Sequence, residues 1–259
     1  MCPTGKSTVV QLFGVPIRGH AESELIEILL SPTLMATTVL YANPHVLNTA
    51  HQHEELHGSL RRASTVYVDG SGIRLGARIL GHHLTPRTTA ADWIDALCAA
   101  AVTRGVGIYL LAGAPGVAER AAQMLTRRHP GLDVRGTHHG YLDDEATDRV
   151  LLEISKVTPH LVVVGMGTPT QEIWIDRNRA RIEAPVVWAV GALFDFVTGN
   201  QARAPEWLRR IHLEWLWRLG TDPVRLAGRY LYGNPLFLLR VLRQRLFGLP
   251  SRLGGPDPR

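Results

Sequence analysis

The sequence predicts an α/β protein, a Rossmann-like parallel sheet flanked by helices, with a C-terminal basic helical appendage. Three observations carry this. Short β-branched runs alternate with helical segments at least five times along the chain. Several of those runs end in glycine and polar residues, as at the sheet edge where open α/β sheets bind ligands. After Gly199 the composition changes, and tryptophan and arginine concentrate. We divide the chain into a lead-in (1–35), a core (36–200), an appendage (201–247) and a Gly- and Pro-rich tail (248–259) expected to be disordered.

In the lead-in, Ala21 to Leu30 predicts an amphipathic helix. Gly5-Lys6-Ser7-Thr8 imitates the end of a phosphate-binding loop, but neither the earlier glycine nor the strand that motif needs precedes it. Thr37 to Tyr41 reads as a strand ending in Ala42-Asn43-Pro44, followed by a helix from about His45 to Arg62. That helix contains His53-Glu54-Glu55-Leu56-His57, a zinc-protease pattern. A third protein ligand is wanting at suitable spacing, so we expect a solvated histidine-rich face and no metal.

Thr65 to Val68 is the next strand, and it delivers Asp69 into a glycine turn. An acid on the first residue after a strand points into the crevice of an open sheet, yet Asp-Gly is equally a common turn dipeptide. Thr89 is placed to cap a helix over Ala90 to Thr103, with Asp92 in its first turn. The strand Gly107 to Ala112 runs into Gly113-Ala114-Pro115-Gly116 and a helix over Val117 to Arg128. A glycine turn at a helix N-terminus suits an anion, though Gly113 and Gly116 also serve as plain turn residues.

Leu132 to Gly136 predicts a strand, followed by His138-His139-Gly140-Tyr141 and a helix from Asp144 to Lys156. Leu161 to Val164 is the most apolar run and is expected at the centre of the sheet. It opens into Gly165-Met166-Gly167-Thr168-Pro169-Thr170-Gln171-Glu172 and a helix to about Arg181. Pro185 to Val190 forms the last strand, ending in Gly191-Ala192-Leu193-Phe194-Asp195.

In the appendage, Trp207, Ile211 and Trp215 recur every four residues, which fits either a packed helical cap or a membrane-facing helix. For Pro235 to Phe247, with Leu238, Leu242 and Leu246 on one face and Arg240, Arg243 and Arg245 nearby, the membrane surface is preferred. Residues 201–259 hold 11 arginines against 4 acids, and the first 200 residues hold 17 basic and 19 acidic side chains. The net charge of +5 is therefore a C-terminal property and suits an anionic partner. The Trp and Leu faces fit lipid better than nucleic acid. Two cysteines make no disulfide framework. We see no signal peptide and no apolar run of spanning length.

Taken together, Asn43, Asp69-Gly70-x-Gly72, Gly113-Ala114-Pro115-Gly116, His139-Gly140-Tyr141, Gly165-Met166-Gly167-x-Pro169-x-Gln171-Glu172 with Trp174, Gly191 with Phe194-Asp195, Arg203-Ala204-Pro205-x-Trp207, Glu214-Trp215-Leu216-Trp217-Arg218 and Asp222-Pro223-x-Arg225 resemble one family. In order, over roughly residues 36–232, they are similar to the bacterial N-acetylmannosaminyltransferases of teichoic acid linkage-unit synthesis and their enterobacterial common antigen and exopolysaccharide relatives. The resemblance implies an inverting, metal-independent enzyme without a cofactor. Such an enzyme moves N-acetylmannosamine or a related sugar from a UDP donor to a polyprenyl-diphosphate-linked acceptor at the inner face of the cytoplasmic membrane. It implies Asp69 as base, Asn43 and Gln171 near the sugar, and Gly113, Gly116, Tyr141, Gly165, Gly167, Gly191 and Asp195 around the nucleotide. Arg218, Arg225 and Arg229 are implied at the diphosphate. Tyr41, Thr170, Ala90 and Gly228 depart from the family pattern and put the identity of the sugar in question. A Rossmann-type nucleotide-binding module or oxidoreductase is the alternative, although Thr170 stands where a third glycine would belong. The oligomeric state, a homo-oligomer included, is left open.

Overall fold

The computed structural model describes residues 8–84, 88–210 and 214–248. The described residues open with a hairpin, β1 (Val9–Leu12) and β2 (Val15–Arg18), where the sequence predicts only a lead-in. Its turn residues, Phe13 (φ 54°) and Gly14 (φ 81°), are both left-handed, as the type I′ turn of a two-residue hairpin requires. After α1 (Glu22–Leu29) come β3 (Thr37–Ala42), α2 (Pro44–Ala50), α3 (Glu54–Arg62), β4 (Thr65–Val68), α4 (Ser71–Ile79) and α5 (Ala90–Arg104). The second half continues with β5 (Ile108–Ala112), α6 (Val117–Arg128), β6 (Val134–His138), α7 (Asp144–Val157), β7 (Leu161–Gly165), α8 (Thr170–Asn178), β8 (Val186–Ala189) and α9 (Leu193–Val197). The C-terminal helices are α10 (Glu206–Arg210), α11 (Glu214–Thr221), α12 (Pro223–Ala227), a π-helical turn over Gly228–Tyr232, and α13 (Gly233–Phe247).

The eight strands form one sheet in the order β1-β2-β4-β3-β8-β7-β5-β6. Among the described residues only the β1–β2 pair is antiparallel. β3, β4, β5, β7 and β8 are buried at every position, as strands covered on both faces must be. In the core, Trp93 of α5 stacks on Trp188 of β8 at 4.8 Å between ring centroids. The register matters for the site: Ala42 pairs with Val68, so the next residues, Asn43 and Asp69, emerge side by side.

Several expectations are corrected. The helix expected from His45 to Arg62 is two helices, because His53 caps α3 by accepting from the Leu56 N–H (3.4 Å). His57 is buried, its Nε2 hydrogen-bonded with the Phe13 carbonyl at 2.9 Å, so the pair does not make a solvated histidine face. β6 also begins two residues later than expected, at Val134.

The appendage is seated on the core through α13. Phe237 and Val241 are fully buried, and a Cβ at Gly76 of α4 would lie 2.9 Å from Phe237 Cζ, so only glycine admits that ring. Gln244 reads the hairpin turn: the Phe13 N–H donates to its Oε1 (3.0 Å) and its Nε2 donates to the Gln11 carbonyl (2.8 Å). Arg240 donates to Asn48 Oδ1 of α2 (2.8 Å), and Arg245 to the Leu80 carbonyl beyond α4 (3.1 Å). The leucines expected to share one face divide: Leu238 packs partly on the core, whereas Leu242 and Leu246 face out.

Candidate active site

Asn43 and Asp69 each follow a strand, and their side chains meet: Asn43 Nδ2 donates to Asp69 Oδ2 at 3.1 Å. Asn43 is fixed from the other end, where its Oδ1 caps α2 by accepting from the Val46 N–H (3.0 Å). The Asp69 N–H donates to the Ala42 carbonyl (2.9 Å), so its backbone is still tied to β3. The two glycines that follow have separate duties. Gly70 takes φ 80°, which lets the chain turn from β4 into α4, while a Cβ on Gly72 would stand 2.4 Å from Pro44 Cγ. The segments around Asn43 and Asp69 therefore fit against each other only as they are written.

Asp69 opens onto a cavity of about 550 Å³. One wall is the sheet edge, with Tyr41, Asn43, Asp69 and Gly72; the other is helical, with Trp215, Arg218, Arg229 and Tyr230. Arg218 lies over the Phe196 ring (5.4 Å) and Arg229 over the Tyr230 ring (5.6 Å). From α4, Arg74 and Arg78 also line the space, and no motif had singled them out. Their signal in the sequence is only an i, i+4 spacing behind Asp69. His45 also lines the cavity; burial, and then the charge of Arg229, hold its imidazole down to about 4, so at neutral pH it adds no positive charge. The side chain of Arg225, on α12, lies outside the described residues.

The predicted glycines form a second cluster along the same sheet edge. The Gly113 N–H donates to the Gly165 carbonyl (3.1 Å), and the Gly140 N–H to the Gly113 carbonyl (2.8 Å), which stitches together the ends of β5, β6 and β7. Gly116 begins α6 at φ 86°, Gly167 turns the chain at φ 82° before α8, and Tyr141 is exposed beyond Gly140. Gly191 (φ 58°) and Asp195 of α9 follow β8. Of this region only Val190, Ala192, Leu193 and Phe196 also line the cavity of Asp69, so the end of β8 joins the two clusters.

Gln171, expected beside the sugar, is wholly buried below the cavity instead. Its Oε1 accepts from the Gly191 N–H (3.0 Å), and its Nε2 donates both to the Tyr41 hydroxyl (3.2 Å) and to Glu172 Oε1 (2.8 Å). Both ends of the amide are therefore spent on holding β3, β8 and α8 together. Glu172 is fully buried too, and burial raises its carboxyl above the ordinary value against the opposing hydrogen bonds from Gln171 and Thr168. Arg203 of the Arg-Ala-Pro motif has a structural position: it donates to the Ala91 carbonyl (2.7 Å) and to Asp92 Oδ1 (2.6 Å) at the start of α5.

Among the described residues no three His, Cys, Asp or Glu side chains are grouped to hold a metal ion. A family model described as the glycosyl transferase WecG/TagA/CpsF family matches residues 10–250. The chain belongs to this family. The match takes in the N-terminal hairpin and α13, both outside the motif-bearing stretch from 36 to 232. The N-acetylglucosaminyldiphosphoundecaprenol N-acetyl-beta-D-mannosaminyltransferase of Bacillus spizizenii is 29% identical over 205 residues, 79% of this chain and 78% of the relative. The protein of the same name from Staphylococcus aureus is 30% identical over 207 residues, 80% of each chain. As a glycosyltransferase of this family, the chain is an enzyme, and the oxidoreductase alternative is not favoured.

Proposed function

We propose that this glycosyltransferase moves N-acetylmannosamine, or a closely related sugar, from a UDP donor to a polyprenyl-diphosphate-linked N-acetylglucosamine, with inversion. The observation that carries the reading is the Asn43–Asp69 pair facing an arginine-walled cavity. The names of the relatives support the acceptor.

In the reaction, a carboxylate oxygen of Asp69 takes the proton of the acceptor hydroxyl as that oxygen bonds to the anomeric carbon of the donor. The bond from that carbon to the diphosphate breaks, and UDP leaves with the electron pair. Asn43 holds Oδ2 of Asp69 and so leaves Oδ1 for the acceptor. Arg218 and Arg229, across the cavity, suit the negative charge gathering on the leaving diphosphate, since guanidinium groups fork onto phosphate oxygens. The glycine cluster at the ends of β5, β7 and β8 offers backbone and space for the nucleotide. Gln171 then serves the sugar indirectly, by holding Tyr41 and the Gly191 turn.

No helix among the described residues is long and apolar enough to cross a membrane. The outer face of α13, with Leu239, Leu242, Leu246 and Phe247 exposed beside Arg243 and Arg245, suits the surface of a bilayer. We place the enzyme there, on the cytoplasmic side, where a UDP-sugar and a lipid-linked acceptor meet. The test is a donor screen that reads UDP release with an isoprenoid-diphosphate-N-acetylglucosamine acceptor. Acceptor-dependent release, strongest with UDP-N-acetylmannosamine or a near relative, is expected; no acceptor-dependent release from any UDP-sugar would sink the proposal.

A further inference from the structure

The proposed reaction brings two diphosphates to one cavity, one on the leaving nucleotide and one on the lipid acceptor. The cavity has arginines on two separate walls. Arg218 and Arg229 come from the C-terminal helices, and Arg218 rests on Phe196 of α9, the helix that follows the Gly191 turn. Arg74 and Arg78 come from α4, the helix that begins two residues after Asp69. They stand one helical turn apart on the same face, about 6 Å along the axis. Neither makes an ion pair among the described residues. Arg74 Nε is buried without a hydrogen-bond partner, an arrangement that costs free energy unless a ligand supplies an acceptor.

An apolar line starts beside these arginines. Leu75 of α4, nearly half exposed, and Leu238 of α13 both line the cavity. Leu242 and Leu246 continue from Leu238 at helical spacing, and both are exposed. α4 and α13 advance together: Gly76 meets Phe237 and Val241, and further along Leu80 meets Arg245. The leucine line therefore leads away from the cavity alongside α4.

From this juxtaposition we infer that Arg74 and Arg78 bind the diphosphate of the lipid-linked acceptor, with Leu75, Leu238, Leu242 and Leu246 taking the first isoprene units. The inference rests on the proposed function for the identity of the ligand. The order along α4 suits the chemistry. The acceptor hydroxyl must reach Asp69 at the head of the helix, its diphosphate follows on the next turns, and its apolar chain continues outward. Arg218 and Arg229 are left for the donor.

Direct binding tests this without turnover. The probes are a short isoprenoid-diphosphate-N-acetylglucosamine and UDP, each titrated separately by calorimetry. In the Arg74→Gln/Arg78→Gln variant, acceptor affinity falls about tenfold or more, as expected for losing charge-assisted hydrogen bonds, while UDP affinity holds. Arg218→Gln shows the reverse pattern. The Arg74→Lys/Arg78→Lys variant keeps the charge without the fork and falls between, which guards against a folding artefact. The Leu242→Ser/Leu246→Ser variant loses the preference of the wild type for an isoprenoid over a methyl diphosphate analogue. Unchanged acceptor affinity in the glutamine variant, loss of UDP binding instead, or a wild type that does not bind the acceptor would each overturn the inference. A wild type that binds the acceptor but transfers nothing from any UDP-sugar would overturn the proposed function and leave this subsite standing.

Discussion

The two walls of the cavity are built by opposite means. The sheet-edge wall is made from consecutive strand ends, where register, a helix cap and two glycines leave Asn43 and Asp69 one arrangement. The helical wall is made from the short helix α11 and a π-helical turn, joined through α12, with Trp215 and Trp217 half-exposed and no fully buried residue in α11. It is held in place from behind, by α13, whose Phe237 and Val241 sit in the main core. Such a division suits a transferase: the base must be rigid, whereas the wall that closes over two large anionic substrates needs only a firm anchor.

Two experiments probe that division. The largest effect on stability is expected from Phe237→Ala, which empties a fully buried aromatic site between α4 and α13 and should cost about 3–5 kcal/mol. If the helical wall is part of one cooperative unit, calorimetry will show a single transition at lower temperature. A separate early transition with the main one unmoved would mean that the wall is an independent module. A smaller effect is expected below the cavity. The Glu172 carboxyl is raised by burial, so the folded protein keeps a proton there that the unfolded chain gives up near the ordinary value of 4.5. Above that pH the site costs increasing stability until its own folded value is passed. Glu172→Gln has no proton to lose, so its stability relative to wild type should rise as the pH climbs above the ordinary carboxyl value of 4.5. A pH-independent difference would show that Glu172 is not held neutral.

The sequence carried the site better where chemistry coincides with strand ends. Asn43 and Asp69 were legible because a β-branched run must stop somewhere, and the residue after it in a parallel sheet faces the ligand edge. Gln171 lies in the core rather than on the cavity; a motif shows that an amide is needed but not whether it reaches the sugar or the backbone of Gly191. Arg74 and Arg78 were missed because basic residues one turn apart are ordinary on a solvated helix. The hairpin escaped for two reasons: its strands have four residues each, one carrying Pro16, and its turn is Phe13-Gly14 rather than an Asn-Gly or Asp-Gly pair. Phe13 accepts a left-handed backbone there because its ring is buried against Phe237 and His51, a contact 224 residues away in sequence for the former that no local pattern can reveal. The break between α2 and α3 was hidden likewise, as His51-Gln52-His53 contains neither glycine nor proline.

The central claim is that Asp69 removes the acceptor proton. The most direct measurement is turnover of Asp69→Asn with the UDP-sugar and lipid-linked acceptor that the donor screen selects, alongside UDP affinity by calorimetry. The amide keeps the size of the side chain and cannot take the proton, so turnover should fall by about 10²- to 10⁴-fold while UDP affinity stays close to wild type. Turnover within a few-fold of wild type would contradict the account and return Asp69 to the role of a turn residue.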